Sequence, residues 1–383
     1  MEHRTLRIAM NGVTGRMGAR QHLARSIMAI REDGGLPLPD GTTLWPEPVL
    51  VGRSEAKLRE LAARHGLPEW TTSLADVLAD PGIEVYFDAQ VTHARAAALR
   101  AAIAAGKHVY TEKPLAGSLA EAVGLAGQAA AAGITAGVVA DKLFLPGMRT
   151  LQRLAGGGVL GRVLSVRGEF GYWVFEGGWQ QPQRPSWNYR RADGGGIVLD
   201  MFPHWCYLLE GIFAPVRSVY TATATHLPVR RDESGLPYHA TADDAAYAVF
   251  ELAGGIIAQV NSSWAVRVHR DELVEFQVDG TEGSAVAGLH ACRAQHRGVT
   301  PRPVWDPDTP VKESFRGLWQ EVPANEPPVN CFRAQWELFL ADVAGGRPHR
   351  WDLLTGARGV QLAELGLRSA GEGRKLAVPP LAV

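Results

Sequence analysis

An aspartate and a histidine stand four residues apart in a segment that begins with three glycines. The glycines start at Gly194, and the pair is Asp200 and His204. If the segment is helical, the two side chains share one face. A carboxylate and an imidazole on one face can bind the hydroxyl groups of a ligand and move a proton. Taken alone, a pair at this spacing is usually structural, and Pro203 within the segment disfavours a regular helix.

A lysine in the sequence Glu112-Lys113-Pro114 is a second candidate for proton chemistry. It follows a predicted strand at 108–111, and only six of the 39 basic residues of the chain are lysines. Lysine can lose its proton near neutral pH, whereas arginine effectively cannot. A charged pair directly after a buried parallel strand lies at the edge of the sheet where ligands bind. The alternative interpretation is a lysine in a solvated turn.

A glycine-rich segment, Gly12 to Gly18, is here called the glycine turn. It follows an apolar run at 6–11 and precedes a helical pattern that begins at Ala19. A strand, a glycine turn and a helix in this order are typical of the start of a dinucleotide-binding βαβ unit. Glycine lets the backbone approach a pyrophosphate, which then binds free N–H groups at the helix N-terminus. The residues predicted to contact the cofactor here are Gly12, Thr14, Gly15, Arg16 and Met17.

The end of the next predicted strand, at 48–51, bears on the choice between NAD and NADP. An NAD-specific site usually has an acidic residue at this place, to bind the ribose hydroxyls. Here Gly52 is followed by Arg53 and Ser54. These two side chains are suited to a 2′-phosphate, so NADP is favoured over NAD. Alternatively, Arg53 is a solvated charge or stacks on the adenine.

The order of the predicted elements indicates two domains. Helices alternate with strands as far as about residue 140, which predicts a doubly wound parallel sheet of the Rossmann type. From about residue 163, strand-like runs are joined by turns, which predicts an α+β domain on an open, mostly antiparallel sheet. The predicted α/β chain is therefore a dinucleotide-binding domain over 1–141 and a substrate-binding and oligomerisation domain over 142–383.

The composition excludes several classes of protein. The chain has 383 residues, of which 46% are apolar, and its 39 basic residues balance 40 acidic ones. We therefore expect no nucleic-acid partner and no membrane partner. The N-terminus lacks the apolar segment of a signal peptide, so a cytoplasmic protein is expected. No metal site and no disulfide framework are expected from the three scattered cysteines, Cys206, Cys292 and Cys331.

A cluster of aromatic residues lies between Tyr172 and Tyr189, in a segment rich in glycine, glutamine and proline. Such residues often serve only to pack a loop. The alternative is a surface that stacks on sugar rings, with nearby cations for polar groups. The residues predicted to bind substrate, besides Asp200 and His204, are Lys142, Trp173, Trp187, Tyr189 and Arg190.

The glycine turn, the Glu112-Lys113-Pro114 motif and the segment that leads to Asp200 and His204 together resemble the Gfo/Idh/MocA oxidoreductases. The resemblance covers nearly the whole chain. It implies an NAD(P)-dependent dehydrogenase of sugars, inositols or related polyols, with Lys113, Asp200 and His204 as catalytic residues. It also implies cofactor contacts from Glu112, Lys113 and Gln90. Gln90 is the first residue of Gln90-Val91-Thr92, which replaces the usual Thr-Pro-Asn motif of the family. The family often has a cis peptide bond between the lysine and the proline.

Two other functions stay open at this point. An oxidoreductive glycosidase would use the same residues with a bound cofactor, and only its net product would differ. A cofactor-binding regulator without turnover would be expected to lack Lys113 and His204, which are both present. The open sheet is expected to leave an apolar face uncovered, which predicts a homodimer or a homotetramer.

Overall fold

The computed structural model describes residues 3–325 and 327–382, which form two compact units. The first unit contains the chain up to Phe144, the segment Val329–Glu364 and the end of the chain from Pro380. The second unit contains Leu145–Pro328 and Leu365–Pro379. This division differs from the predicted domains 1–141 and 142–383, because a late segment of the chain belongs to the first unit.

The helices include one of unusual geometry. The helix that follows the glycine turn is a π-helix over Gly18–Met28 and continues into α1. The α-helices, in chain order, are α1 (Ala29–Glu32), α2 (Glu55–His65), α3 (Leu74–Ala79), α4 (Thr92–Ala104), α5 (Leu119–Ala132), α6 (Pro146–Gly156), α7 (Ile197–Ile212), α8 (Cys331–Ala344) and α9 (Leu353–Glu372).

The strands of the described residues form one sheet in the first unit and two in the second, of which the smaller consists of β10 and β11 alone. Those of the first unit are β1 (His3–Asn11), β2 (Leu36–Pro37), β3 (Thr43–Val51), β4 (Trp70–Thr71), β5 (Ile83–Asp88), β6 (His108–Thr111) and β7 (Ala136–Val138). Those of the second unit are β8 (Val163–Gly171), β9 (Val216–Ala224), β10 (Val229–Arg231), β11 (Pro237–His239), β12 (Ala245–Leu252), β13 (Ile257–Ser263), β14 (Val274–Gly280), β15 (Gly283–Ala287), β16 (Cys292–His296), β17 (Gln320–Glu321) and β18 (Leu376–Ala377).

The sheet of the first unit has the order β2-β3-β1-β5-β6-β7, with β4 beside β3. Its strand pairs are parallel except for the short pair β2–β3. Separate apolar clusters are built from alternate residues of these strands, as expected for a sheet that is covered on both faces. The predicted doubly wound parallel sheet is confirmed. The glycine turn, Arg53 and Lys113 all follow carboxyl ends of its strands.

Strand β3 begins earlier than the predicted strand at 48–51. The sequence did not indicate this because two prolines lie within the strand. The glycines and prolines between Gly34 and Pro46 are typical of a loop, yet the strand starts at Thr43. The N–H of Leu50 points away from β1, since it donates to the carbonyl of Glu69. Pro46 and Pro48 alternate along the strand in step with Leu50, so their nitrogens also face away from β1. Strands β2 and β4 pair with β3 only outside this stretch. The missing N–H groups of the two prolines therefore cost no ladder hydrogen bond.

Helix α8 explains why the domain boundaries differ from the prediction. Its buried face contributes Phe332, Trp336, Phe339, Leu340 and Val343 to an apolar cluster that also contains residues of β1 and β5. The sequence correctly indicates a helix over Cys331–Ala344, but an apolar helix face does not reveal which core it joins. The burial of these five side chains places the helix in the first unit.

The sheet of the second unit has nine strands in the order β17-β16-β15-β14-β8-β13-β12-β9-β18. Among its described pairs, only β8–β13 is parallel, which confirms the predicted mostly antiparallel sheet. Helix α7 packs on one face, where Phe202 meets Phe250 and Trp205 meets Phe276. The sequence analysis did not identify α6 or the short strands β10, β11, β16, β17 and β18.

Within residues 3–325 and 327–382, no helix is both long enough and apolar enough to cross a lipid bilayer. Within the same ranges, no group of three or more histidine, cysteine, aspartate or glutamate side chains is placed to hold a metal ion.

Candidate functional site

The glycine turn follows β1 and depends on two close backbone contacts. Gly12 has a φ of +81°, and a Cβ added there would lie 2.6 Å from the carbonyl carbon of Ala89. A Cβ on Gly18 would lie 2.7 Å from the Cα of Val13. Both positions therefore require glycine. The turn brings β1 close to the segment after β5, where Gln90 lies.

The N-terminus of the helix after this turn is suited to an anion. Met17 occupies the cap position, and no side chain accepts a hydrogen bond from the first backbone N–H groups. Gly15, Arg16 and Met17 are exposed, and Thr14 is half-buried. An exposed helix N-terminus without a side-chain cap presents free N–H groups and the positive end of the helix dipole. The residues present therefore fit the pyrophosphate of a dinucleotide.

We expect Gly12→Ala to weaken NAD(P) binding by at least about tenfold, equivalent to about 1.4 kcal/mol. The added methyl group meets the backbone of Ala89, so the turn must move. The matched control is Gly66→Ala, because Gly66 also has a positive φ, +62°, but has no atom near an added Cβ. The control carries only the conformational cost and should leave cofactor affinity unchanged. Fluorescence titration measures both, and equal losses of affinity in the two variants would contradict the assignment.

The segment after β3 lacks a carboxylate at the predicted ribose position. Gly52 is half-buried, and Arg53 is exposed. The Ser54 hydroxyl caps α2 by accepting a hydrogen bond from the backbone N–H of Lys57 at 3.5 Å. Ser54 therefore has a structural role in addition to the cofactor contact predicted for it. Arg53 remains the more available of the two for a phosphate.

Lys113 follows β6, and its peptide bond to Pro114 is cis, as the resemblance implies. The neighbouring Glu112 is buried and accepts the backbone N–H of Lys113 at 3.0 Å through Oε2. Its other oxygen, Oε1, lies 2.9 Å from Nε2 of His22, which is fully buried. Nδ1 of His22 in turn lies 3.0 Å from Nε1 of Trp336. A buried chain of hydrogen bonds therefore leads from α8 to the backbone of Lys113.

The two hydrogen-bond partners of His22 fix its tautomer. An indole N–H can only donate, so Nδ1 of His22 accepts, and Nε2 carries the proton that it donates to Glu112. Burial raises the pKa of the Glu112 carboxyl, but the hydrogen bond with His22 and the charge of Lys113 outweigh it, and the net pKa is lowered. Glu112 is thus an ionised acceptor with both oxygens in use.

Gln90, a predicted cofactor contact, belongs to a buried network at the end of β5. Its side-chain amide donates to Asp88 at 2.8 Å. Asp88 also forms an ion pair with Arg95 at 3.2 Å, and both side chains are at most 3% exposed. Arg95 further donates to the carbonyls of Gln90 and Pro114. One arginine therefore holds the segment after β5 and the residue after Lys113.

Lys142 lies in the short 3₁₀ turn Asp141–Phe144 that follows β7. Its ammonium is 2.6 Å from the carboxylate of Asp141 and is 23% exposed. The position after a parallel strand agrees with the prediction. The ion pair means that much of the lysine charge is balanced within the protein, and the predicted substrate contact stays a prediction.

In the second unit, Asp200 and His204 both lie on α7, which runs through Pro203. The regular helix places their side chains one turn apart on the same face. Asp200 is half-buried, whereas His204 is 5% exposed. A buried imidazole beside a partly accessible carboxylate matches the geometry that the sequence analysis expected.

Two of the three glycines before α7, Gly195 and Gly196, make close contacts within the second unit. A Cβ on Gly195 would lie 2.4 Å from the carbonyl oxygen of Trp187. Gly196 has a φ of +124°, and a Cβ there would lie 2.7 Å from Oδ1 of Asp243. The other carboxylate oxygen of Asp243 accepts the N–H of Val198 at 2.9 Å, which caps the start of α7. The glycines therefore fix where the helix that carries Asp200 begins.

The predicted aromatic residues occupy different environments. Tyr189 is 2% exposed and lies between the guanidinium of Arg230, 3.7 Å from its ring centroid, and the indole of Trp264. Trp187 is 49% exposed. Trp173 is half-buried beneath Arg267. The ring of Tyr189 is thus packed by the protein, and its hydroxyl is buried as well.

Arg190, the remaining predicted substrate contact, stacks on Tyr238 with its guanidinium carbon 4.8 Å from the ring centroid. The structure instead places another arginine beside Asp200. Nη1 of Arg184 is 3.3 Å from Oδ2 of Asp200, and its guanidinium carbon is 4.3 Å from the centroid of the Trp264 ring. Sequence reasoning missed Arg184 and Trp264, since an arginine in an irregular loop and a tryptophan after a strand give little signal.

The structure therefore groups the predicted residues in two places. In the first unit, the glycine turn, Gln90, Glu112 and Lys113 follow carboxyl ends of β1, β5 and β6. In the second unit, Asp200 forms an ion pair with Arg184, whose guanidinium stacks on Trp264. The Trp264 ring in turn is in edge contact with the ring of Tyr189. The first group fits a dinucleotide, and the second offers charged groups suited to a polyhydroxylated ligand.

Both units match models of known families. Residues 6–139 match an oxidoreductase family with an NAD-binding Rossmann fold. Residues 148–286 match the GFO/IDH/MocA C-terminal domain. The two matched regions together cover most of the chain.

Similar proteins include sugar dehydrogenases. The chain is 61% identical over 380 residues to D-xylose dehydrogenase of Paenarthrobacter nicotinovorans, with 98% of each chain covered. It is 27% identical over 263 residues to levoglucosan dehydrogenase of Pseudarthrobacter phenanthrenivorans, with 63% of this chain and 66% of the relative covered. A structure of levoglucosan dehydrogenase with NADH and levoglucosan has a TM-score of 0.81 at 20% identity, covering 98% of this chain and 100% of that one. This structural likeness supports the fold.

Proposed function

The chain belongs to the Gfo/Idh/MocA family of NAD(P)-dependent oxidoreductases of sugars and related polyols, and we propose that its substrate is D-xylose. Membership confirms the family and the enzyme class predicted from the sequence. The choice of substrate is carried by the 61% identity with a D-xylose dehydrogenase along 98% of both chains. Arg184 and Asp200 support it, since their partly exposed side chains offer a donor and an acceptor to a small polyhydroxylated ligand.

In this proposal, the catalytic residues are Lys113, Asp200 and His204. Bound NAD(P) supplies the hydride acceptor. Lys113 donates a hydrogen bond to the oxygen of the reacting carbinol, and either Lys113 or His204 removes its proton. Asp200 accepts a hydrogen bond from a neighbouring hydroxyl and orients the sugar. General-base assistance of this kind contributes about 10²–10⁴ in rate, and orientation of the reacting groups contributes the remainder.

The test is a panel of substrates with NAD⁺ and with NADP⁺. D-xylose should give reduced cofactor with a higher kcat/KM than other aldoses, inositols and levoglucosan. Aryl xylosides included in the panel report the rival glycosidase reaction, in which a phenol is released without net reduction of cofactor. Release of phenol without cofactor reduction, or preference for another polyol, would contradict the proposal.

We also propose that NADP is the preferred cofactor, on the basis of Arg53 and the absence of an acidic residue from positions 51–54. A hydrogen bond from a charged group to the 2′-phosphate contributes about 1.5–3 kcal/mol, or roughly tenfold to hundredfold in affinity. Arg53→Ala should therefore raise the Kd of NADP⁺ by that factor and leave the Kd of NAD⁺ unchanged. Arg59→Ala, at an exposed arginine of α2, is the control. Tighter binding of NAD⁺ than of NADP⁺ by the unaltered protein would show that the preference is wrong.

A closed homo-oligomer is proposed from one face of the second-unit sheet. Tyr220, Tyr247, Val249 and Ile257 are each 39–45% exposed there. Tyr220 lies opposite Val249 in the register of β9 and β12, so these side chains form a contiguous patch. Exposed apolar patches of this kind usually mark interfaces. Light scattering at micromolar concentration should give at least twice the chain mass of 41.3 kDa, and a monomer would contradict the proposal.

A further inference from the structure

Arg184 is held in place from two sides. Its guanidinium stacks on the indole of Trp264 at 4.3 Å and donates to Asp200 at 3.3 Å. Its side chain is 24% exposed, and that of Asp200 is 29% exposed. A planar guanidinium fixed in this way keeps further N–H groups at a defined angle. The pair therefore offers a donor and an acceptor side by side, both partly accessible.

The surroundings of the pair contain buried polar atoms that lack a hydrogen bond. Oη of Tyr189 and Nε1 of Trp264 are buried, and neither has a hydrogen-bond partner among the described residues. Tyr189 is 2% exposed, Trp264 is 0% exposed, and their rings are in edge contact with centroids 5.4 Å apart. A buried polar group without a partner costs about 1–3 kcal/mol. Such atoms beside a charged pair are typical of a site that binds a polar ligand.

We propose that Arg184 is a specificity-determining residue that binds one hydroxyl of the sugar while Asp200 binds the adjacent hydroxyl. The inference deepens the proposed function and rests on it. Sugar hydroxyls on neighbouring carbons can donate to a carboxylate and accept from a guanidinium at the same time. The 3.3 Å between Nη1 and Oδ2 suits two oxygens on neighbouring carbons. The pair thereby selects the position of the hydroxyls.

Binding of D-xylose and its 2-, 3- and 4-deoxy analogues tests this role without requiring turnover. Calorimetric titration is performed on the enzyme saturated with reduced cofactor, for the unaltered protein and for Arg184→Met. The unaltered protein should bind at least one deoxy analogue about tenfold to hundredfold more weakly than D-xylose, as expected for a hydrogen bond to a charged group. Arg184→Met should bind D-xylose more weakly than the unaltered protein does, by a similar factor. It should bind that deoxy analogue with the same affinity as the unaltered protein or a higher one.

Two controls separate this role from a structural one. Arg31→Met removes another arginine that stacks on a tryptophan, Trp45, at 4.6 Å, and it should leave all four affinities unchanged. Arg184→Lys keeps the charge without the planar fork and should bind D-xylose with intermediate affinity. If Arg184→Met weakens every sugar by the same factor, or weakens none, the proposed role is overturned.

The same preparations distinguish failure of this inference from failure of the proposed function. Turnover of D-xylose with oxidised cofactor is measured in parallel. If D-xylose binds with the expected selectivity but gives no reduced cofactor, the proposed function fails and the hydroxyl-binding role of Arg184 holds. If D-xylose is oxidised but the deoxy analogues bind as well as D-xylose, the proposed function holds and the role of Arg184 fails.

Discussion

Replacing Lys113 by alanine is expected to lower kcat by about 10²–10⁴-fold. The ammonium is the proposed proton donor or acceptor of the first unit at the reacting oxygen, and alanine removes it. The Kd of the cofactor should stay nearly unchanged, since the phosphates are proposed to bind the glycine turn and not Lys113. Steady-state kinetics with saturating sugar and a fluorescence titration of the cofactor measure the two effects separately.

Two further variants sharpen this result. Lys113→Arg keeps the positive charge but cannot release a proton near neutral pH, so it distinguishes proton transfer from charge alone. If Lys113 only stabilises the oxygen, arginine should restore much of the lost rate, and if it moves a proton, arginine should not. Lys57→Ala, at an exposed lysine of α2, is the control and should retain full activity. Full turnover by Lys113→Ala, or loss of cofactor binding as its sole defect, would remove Lys113 from the catalytic residues.

The part of the fold that the sequence predicts well is determined by local patterns. Alternation of helices and strands indicates the parallel sheet, and the glycines at 12, 15 and 18 mark the turn because the backbone there admits no Cβ at Gly12 or Gly18. Lys113 stands out because the chain has so few lysines and because a proline ends the strand before it. In these cases, the residues that specify the structure are neighbours in the sequence.

The features that the sequence did not predict depend on contacts between distant residues. Helix α8 was identified, but its place in the first unit depends on Trp336, which hydrogen-bonds to His22, 314 positions away. Arg184 meets Trp264 across a shorter but still long stretch of chain, and both lie where no periodic pattern exists. The prolines of β3 are compatible with a strand only because β2 and β4 leave that edge unpaired. Such facts arise from the assembled sheet and have no local signature.

The difference between local patterns and contacts of distant residues also explains the outcome for the aromatic segment. Its composition correctly drew attention to a region that meets Asp200, but it pointed to the rings of Trp187 and Tyr189. The structure exposes the first and packs the second, and it brings Arg184 to the carboxylate instead. Composition therefore identified the segment that contacts Asp200 but not the side chain that makes the contact.

Replacing His204 by asparagine is also expected to lower kcat by about 10²–10⁴-fold. Asparagine approximates the size of the imidazole but cannot accept and release a proton. His204 is 5% exposed, so the melting temperature must be measured to separate lost chemistry from lost folding. His269→Asn, at an exposed histidine of the same unit, is the control and should be fully active.

The double variant of Lys113→Ala with His204→Asn decides whether the two residues act on one proton. Residues that serve the same transition state show strongly non-additive effects, because once one is lost the other can no longer contribute fully. The combined loss of kcat should therefore be clearly smaller than the product of the two single losses. Losses that multiply would mean that the two residues act independently, and the proposal of one catalytic set that includes both would then be wrong.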